Sequence, residues 1–341
     1  MDKLTSTLGH TPERIAVFRA LKVGDLLCAV PAFRALRRAF PNAQISLISL
    51  PWAEEFVRRY AAYFDEFIPF PGYPGLPEQP LDASRTVAFL QEMQGRNFDV
   101  VLQMQGNGTI VNAMVLLLGA KATAGYYPTQ HAEQFCPDEQ LFMSYPQDEH
   151  EVKRHVRLME FLGIPTQGFS LEFPLTEADA QRAEALSAWP EITQQPFVCI
   201  HPGGISARRW PASHFAKVAD ALVAQGYTVV LTGTQPEQQT VEEVRQQMLY
   251  PAISVAGATD LGSLGWILRQ SSLLLSNDTG VAHLAVALQV PSVVIYTTSR
   301  PEEWGGLNAE RHRPIREAQA TDPERVIEEA MKLLAYQGCK V

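Results

Sequence analysis

The chain is short of the features that announce many common functions. Its four cysteines, Cys28, Cys136, Cys199 and Cys339, stand far apart and form no C-x-x-C pair. That spacing argues against a cysteine zinc site or a redox motif and suits a reducing, cytoplasmic setting. The longest apolar run, residues 113–120, is far below the roughly 20 residues needed to cross a bilayer. The first ten residues hold no apolar core, so no secretory signal is expected. Positive charge is in deficit: 28 Lys and Arg stand against 37 Asp and Glu, for a net charge of -9, and neither half of the chain is basic. Nucleic acid is therefore not an expected partner. No two aspartates stand two apart, so there is no D-x-D motif to hold a metal on a diphosphate. The glycine patterns of a Walker loop and of a dinucleotide fingerprint are missing too. A nucleotide would have to be bound by loops, arginine and helix dipoles, with no metal and no cofactor expected.

What is present is the composition of a globular protein with a full core, 46% hydrophobic and 19% charged. At 341 residues the chain is too long for a typical single domain. Apolar strand-like runs at 14–19, 44–50, 66–69, 99–103 and 121–126 alternate with helical patterns. The region 127–147 is aromatic, contains proline and is aperiodic, which predicts a long surface loop. After a proline-rich polar stretch with one short helix, the alternation restarts. Strands are expected at 197–201, 227–232, 253–255, 273–275 and, last, 292–296, before a final helix at 322–336. Two doubly wound α/β domains follow from this pattern. We place an N-terminal domain at 1–165, a linker at 166–195 and a C-terminal domain at 196–341, with the last helix free to pack back on the first domain.

In such folds ligands sit beyond the carboxyl ends of strands, and the polar loops fall there. Residues 273–288 read as a buried strand, a polar turn and a helix start. Asp278 can cap that helix, Gly280 admits a ligand close to the backbone, and His283 lies about one and a half turns beyond Asp278. Free N–H groups at the helix start suit an anion, although an ordinary capped helix would read the same. The paired glycines of His201-Pro-Gly203-Gly204 permit backbone contact with a phosphate. Arg208 and Arg209 follow, either as a diphosphate clamp or as a solvated pair. After the next strand come Gly233, Gln235 and Glu237, the last two being candidates for a ribose diol. The main chain of residues 256–260 could meet a purine edge. In the first half, Gly24-Asp25 follows the first strand, where the carboxylate is either a general base on a hydroxyl or a helix cap. An aspartate's ordinary pKa of about 3.9 makes a weak base, suited to a late, concerted step.

Assembled in order, these stretches resemble glycosyltransferase family 9, the heptosyltransferases of lipopolysaccharide core assembly. The matching residues are Val23-Gly24-Asp25 with Pro31 downstream, the run from Asp99 through Gln105 and Gly106 to Asn107, and His201-Pro-Gly-Gly with Arg208-Arg-Trp-Pro211. They continue with Val255-Ala-Gly257-Ala-Thr259-Asp-Leu261 and Ser276-Asn-Asp278-Thr279-Gly280-Val-Ala-His283. The resemblance implies two Rossmann-like domains facing across a cleft, the GT-B arrangement, in an inverting and metal-independent enzyme that uses an ADP-sugar. It implies acceptor binding by the N-terminal domain and donor binding by the C-terminal one. Asp25 would be the base, and Arg208 would neutralise the donor diphosphate. Thr279 and Gly280 would bind phosphate, Asp278 sugar hydroxyls, Thr259 the adenine through its backbone, and His283 would complete the donor pocket. Gly24, Gln105 and Asn107 would line the acceptor side, with Arg58 and Arg59 as the basic part of that region. A glycan, a lipid-linked or a small-molecule acceptor is expected, with peripheral contact at the cytoplasmic face of the inner membrane compatible with it.

Two features depart from the family pattern: the ribose-binding acidic residue expected just after Gly233 is displaced, with Gln235 near that place and Glu237 two further on, and the usual Gly-Pro-Thr/Ser after the last strand is Thr297-Thr298-Ser299-Arg300. A nucleotide-binding module without transferase activity and a sugar-nucleotide epimerase on the same fold are the competing readings.

Overall fold

The run Arg14–Phe18 (β1) shows why the chain folds as it does. Its last four residues are buried, and it has parallel neighbours on both sides. A strand covered on both faces needs a continuous apolar run, and parallel strands need crossover helices to cover them. The computed structural model describes residues 1–129, 135–205, 207 and 209–338. They fall into two compact units, Met1–Ser170 and Leu171–Val341.

In the first unit, β2 (Gln44–Ser49), β3 (Glu66–Pro69), β4 (Val100–Gln103), β5 (Ala122–Tyr127) and β6 (Phe142–Ser144) join β1 in the order β3-β2-β1-β4-β5-β6, all parallel. Ala16, Phe18, Ile48, Ile68 and Val101 pack with Phe89 and Met93 of helix Ala83–Gly95 and with Met114 and Val115 of helix Val111–Leu116. Alternate strand residues point to the opposite face. The first crossover, helix Val23–Ala39, packs against helix Glu151–Phe161.

The second unit repeats the plan. Its strands are β7 (Phe197–His201), β8 (Thr228–Leu231), β9 (Ile253–Ser254), β10 (Leu274–Asn277), β11 (Ser292–Tyr296) and β12 (His312–Arg316), ordered β12-β11-β10-β7-β8-β9. The doubly wound α/β fold expected twice is the fold of both units. The last helix, Pro323–Gly338, contributes Val326, Ala330, Leu333 and Leu334 to the core of this unit, beside Phe215 and Leu222 of helix Ala212–Ala224. The stretch before β7 carries helix Glu177–Glu184, which packs on helix Leu261–Gln270. Arg182 there bridges to Asp260 at 2.7 Å.

Two expectations need correction. The stretch at 292–296 is not the last strand, because β12 follows it. The region 127–147 is not all loop, because it contains β6. Both strands lie at sheet edges, where only part of a strand is covered. β12 buries only His312 and Ile315 and carries Pro314, which an edge position tolerates.

Candidate active site

Each sheet has one point where successive connections leave in opposite directions. Loops diverge there and leave a crevice at the carboxyl ends of the strands. In the C-terminal unit this point lies between β7 and β10, which are paired neighbours. The glycine loop after β7 and the turn after β10 therefore flank one crevice.

A buried side chain ties the two together. Asn277, the last residue of β10, is 1% exposed. Its amide nitrogen donates to the carbonyls of Pro202 (2.9 Å) and Gly203 (3.0 Å), and its oxygen accepts from the Trp210 N–H (3.0 Å). Trp210 is itself fixed in the core, with its indole N–H donating to the Ala320 carbonyl at 2.9 Å. Both ends of the 202–211 loop are thus held by one amide. Gly204, at φ +118, comes so close to the β10 turn that a Cβ there would lie 2.9 Å from Thr279 Cγ2. Only glycine suits both the dihedral and the approach.

Thr279 is the N-cap of helix Gly280–Ala287, but its side chain caps nothing. Its Oγ1 is buried and has no hydrogen-bond partner among the described residues. A buried hydroxyl normally finds a partner; here it stands beside the free N–H groups of a helix start. Asp278 does not cap this helix as expected. Its carboxylate instead accepts from the Ser299 hydroxyl in the loop after β11. His283 is buried and packs edge-on to Trp304, with ring centroids 6.0 Å apart.

The loops after β8 and β9 adjoin the glycine loop. Glu237 accepts from the Gly204 N–H (2.6 Å), the Thr234 N–H (2.8 Å) and the Thr234 hydroxyl (2.7 Å). It fills the space that a side chain at Gly203 would need. Burial alone would raise its pKa, but these donors, together with nearby His201, bring it below the usual carboxylate range. Gln235 is exposed, Thr259 is partly buried, and the Gly257 N–H donates to the Gly233 carbonyl at 2.8 Å. Arg208 lies outside the described residues. Arg209 is partly buried, and its guanidinium donates to the Thr240 hydroxyl of helix Gln238–Gln247.

The structure therefore gathers Gly203, Gly204, Glu237, Asp278, Thr279 and Gly280 at one end of this sheet. Asn277 was not among the residues expected at the site. The only sequence signal for it is an amide closing a strand beside a polar turn.

In the N-terminal unit the corresponding point lies between β1 and β4. Gly24 is buried and Asp25 partly buried in the first turn of helix Val23–Ala39, where the Asp25 carboxylate accepts the Lys22 N–H at 3.2 Å. Gln105, expected on the acceptor side, is buried, and its carbonyl accepts the Ala20 N–H at 2.7 Å. It belongs to the frame of the crevice rather than to its surface. Asn107 closes a local turn onto Thr109. Arg58 is exposed, whereas Arg59 is mostly covered and lies 3.7 Å from Glu55, so the two do not form one open basic pair. No cluster of three or more His, Cys, Asp or Glu is placed to hold a metal among the described residues. No described helix is long and apolar enough to cross a membrane.

The family profile of glycosyltransferase family 9 (heptosyltransferase) matches residues 86–335. The chain belongs to this family. It is a glycosyltransferase. It is 31% identical over 138 residues to lipooligosaccharide heptosyltransferase 2 of Haemophilus influenzae, a match spanning 38% of this chain and 40% of that protein. Over 360 residues it is 23% identical to lipopolysaccharide heptosyltransferase 2 of Salmonella typhimurium, covering 95% of this chain and 99% of that one. The fold is shared with the solved E. coli ADP-heptose lps heptosyltransferase II at a TM-score of 0.75 and 21% identity, over 95% of this chain and 99% of that one.

Within the family 9 fold, Asn277 is a prediction in its own right. Asn277→Ala leaves the buried Trp210 N–H and two loop carbonyls without their partner. We expect a loss of about 2 kcal/mol, read as a melting temperature lower by roughly 4–8 °C. An unchanged melting temperature would show that the loops do not depend on this amide.

Proposed function

We propose that this family 9 glycosyltransferase moves a heptose, or a related sugar, from an ADP-sugar to a hydroxyl acceptor, with inversion and without a metal cofactor. The observation that carries the reading is the geometry of the two loops at the β7/β10 crevice. Gly204 and the helix start at Thr279 stand together there, with a buried hydroxyl that has no partner among the described residues. Thr279, Gly280, the Gly203-Gly204 loop and Arg208 would take the diphosphate. Asp278, already engaged by a hydroxyl, suits sugar hydroxyls better than phosphate, which its charge would repel. Gln235, Glu237 and the main chain near Thr259 would meet the ribose and the purine, with His283 beside the sugar-binding turn.

In the reaction, Asp25 accepts the proton of the acceptor hydroxyl while the acceptor's oxygen bonds to the anomeric carbon. The bond from that carbon to the diphosphate breaks, and ADP leaves with the electron pair. One displacement inverts the centre. The charge developing on the leaving group meets fixed donors, which is where preorganisation contributes most. The relatives named above act on lipopolysaccharide or lipooligosaccharide, which makes a lipid-linked glycan the first acceptor to try. Action at the cytoplasmic face of the inner membrane would follow from such an acceptor.

A thermal-shift screen over ADP, UDP and GDP tests the donor class. At about 100 times its Kd, a ligand stabilises by about 2.7 kcal/mol, several degrees for a unit of this size. ADP should produce that shift and UDP and GDP little. Equal or larger shifts with UDP or GDP would overturn the ADP assignment.

A further inference from the structure

We propose that Arg19 is a positioning residue for Asp25, holding the main chain that carries the carboxylate through a charge-anchored brace beneath the β1/β4 crevice. The inference rests on the reading of Asp25 as the base.

Arg19 directly follows β1 and is fully buried although it carries a full charge. Its main chain is pinned to β2: its N–H donates to the Ile48 carbonyl (3.1 Å), and its carbonyl accepts the Ser49 hydroxyl (2.7 Å). Its guanidinium then forks three ways. Nε donates to the main-chain carbonyl of Asp25 at 3.0 Å. Nη1 donates to the carbonyl of Met104, just past β4. Nη2 donates to Glu151 Oε1, at the start of helix Glu151–Phe161, at 2.8 Å. One side chain therefore links the two strand ends that define the crevice, the helix turn bearing Asp25, and a helix 132 residues away in sequence.

Glu151 anchors the fork. It is buried and also accepts from Arg154 and from His155 Nε2 at 3.0 Å. Burial, and after it the Arg19 charge, pushes His155 down to about 4, so its ring is neutral near pH 7. A neutral ring donating from Nε2 can only accept at Nδ1; the Tyr126 hydroxyl is 3.0 Å from that atom, and its single proton goes either there or to the Arg154 carbonyl. The hydroxyl also lies 3.0 Å from the Arg154 carbonyl. Arg154 in turn donates to the Glu149 carbonyl at 2.8 Å. Glu151 is thus held by three buried donors, from Arg19, Arg154 and His155.

Such a network is a poor device for stability, because desolvating buried charges offsets much of what their pairing contributes. It is a good device for geometry. With Arg19 holding its carbonyl and the Lys22 N–H on its carboxylate, Asp25 is fixed at both ends. A lysine at position 19 would keep the charge, but its one nitrogen could not stand in for the three separated guanidinium nitrogens that each serve a different acceptor.

The test uses the full chain, with ADP release from ADP-heptose in the presence of a deacylated lipopolysaccharide core as the assay. Arg19→Lys should lower kcat by about 30-fold or more, since a displacement of about 1 Å can cost 10²-fold. ADP affinity and the donor KM should stay within about two-fold of wild type. In an Asp25→Ala background the same substitution should change the residual rate by less than about two-fold, because the group being positioned is already gone. A folded Arg19→Lys protein with kcat near wild type would overturn the proposal, as would an equal fold loss in both backgrounds. Should Arg19→Lys fail to fold, Glu151→Gln leaves Arg19 in place, weakens its anchor together with the contacts to Arg154 and His155, and should lower kcat about five-fold with the same dependence on Asp25; no loss there would equally overturn it. If Asp25→Ala itself turns over normally, the reading of Asp25 as base fails. If Asp25→Ala is inactive while Arg19→Lys is normal, only the positioning role fails.

Discussion

Asp25→Asn is expected to lower turnover by about 10²–10⁴, the usual contribution of a positioned general base, while ADP affinity stays within about two-fold of wild type. Asparagine is the informative replacement because it is nearly isosteric and its carbonyl oxygen can still accept the Lys22 N–H. The helix start therefore survives, and only the ability to take a proton is lost. The groups proposed for the nucleotide all belong to the C-terminal unit, so its binding is not expected to follow. Steady-state rates with saturating donor, set beside ADP binding by calorimetry, separate the two effects. A rate near wild type would leave Asp25 as a helix-capping residue and return the base to be found elsewhere.

Arg208→Ala carries the second-largest expected effect, about 10²–10³ in turnover, with ADP binding weakened alongside it. The reasoning is chemical: a guanidinium on a glycine loop can bind two oxygens of a diphosphate at once and meet the charge that grows as it leaves. The surroundings of Arg209 bear on the choice between neighbours. One terminal nitrogen of its guanidinium is engaged by Thr240, whereas its buried Nε has no partner among the described residues, so Arg209 is tested beside Arg208. Rates and ADP affinities of the two alanine variants decide it. Normal values for Arg208→Ala with losses in Arg209→Ala would transfer the role.

The strand–helix alternation was legible because parallel strands buried on both faces must be apolar along their length, as Ile15-Ala16-Val17-Phe18 are. The loops at strand ends were legible because glycine and polar residues interrupt those runs. Edge strands were not. β12, with arginine at two positions and a proline at a third, has no periodic signature, since little of it needs cover. Nor was the division of labour within the loops. That Asp278 would bond Ser299 rather than cap its helix depends on β11 lying next to β10. That Gln105 would be internal depends on β4 lying next to β1. The partners of Asn277 lie 67 to 75 residues away. Those of Arg19 lie up to 132 away. Contacts of this kind are set by sheet order, and no local pattern records them.

The two sheets share one strand order, so each unit owns a complete crevice encoded by its own contiguous segment of the chain. In evolutionary terms this makes the halves separately heritable. A crossover in the coding sequence near residue 170 would replace one crevice and pass on the other untouched. Within the C-terminal segment, by contrast, the Asn277 amide couples two loops more than sixty residues apart, so drift in one is constrained by the other.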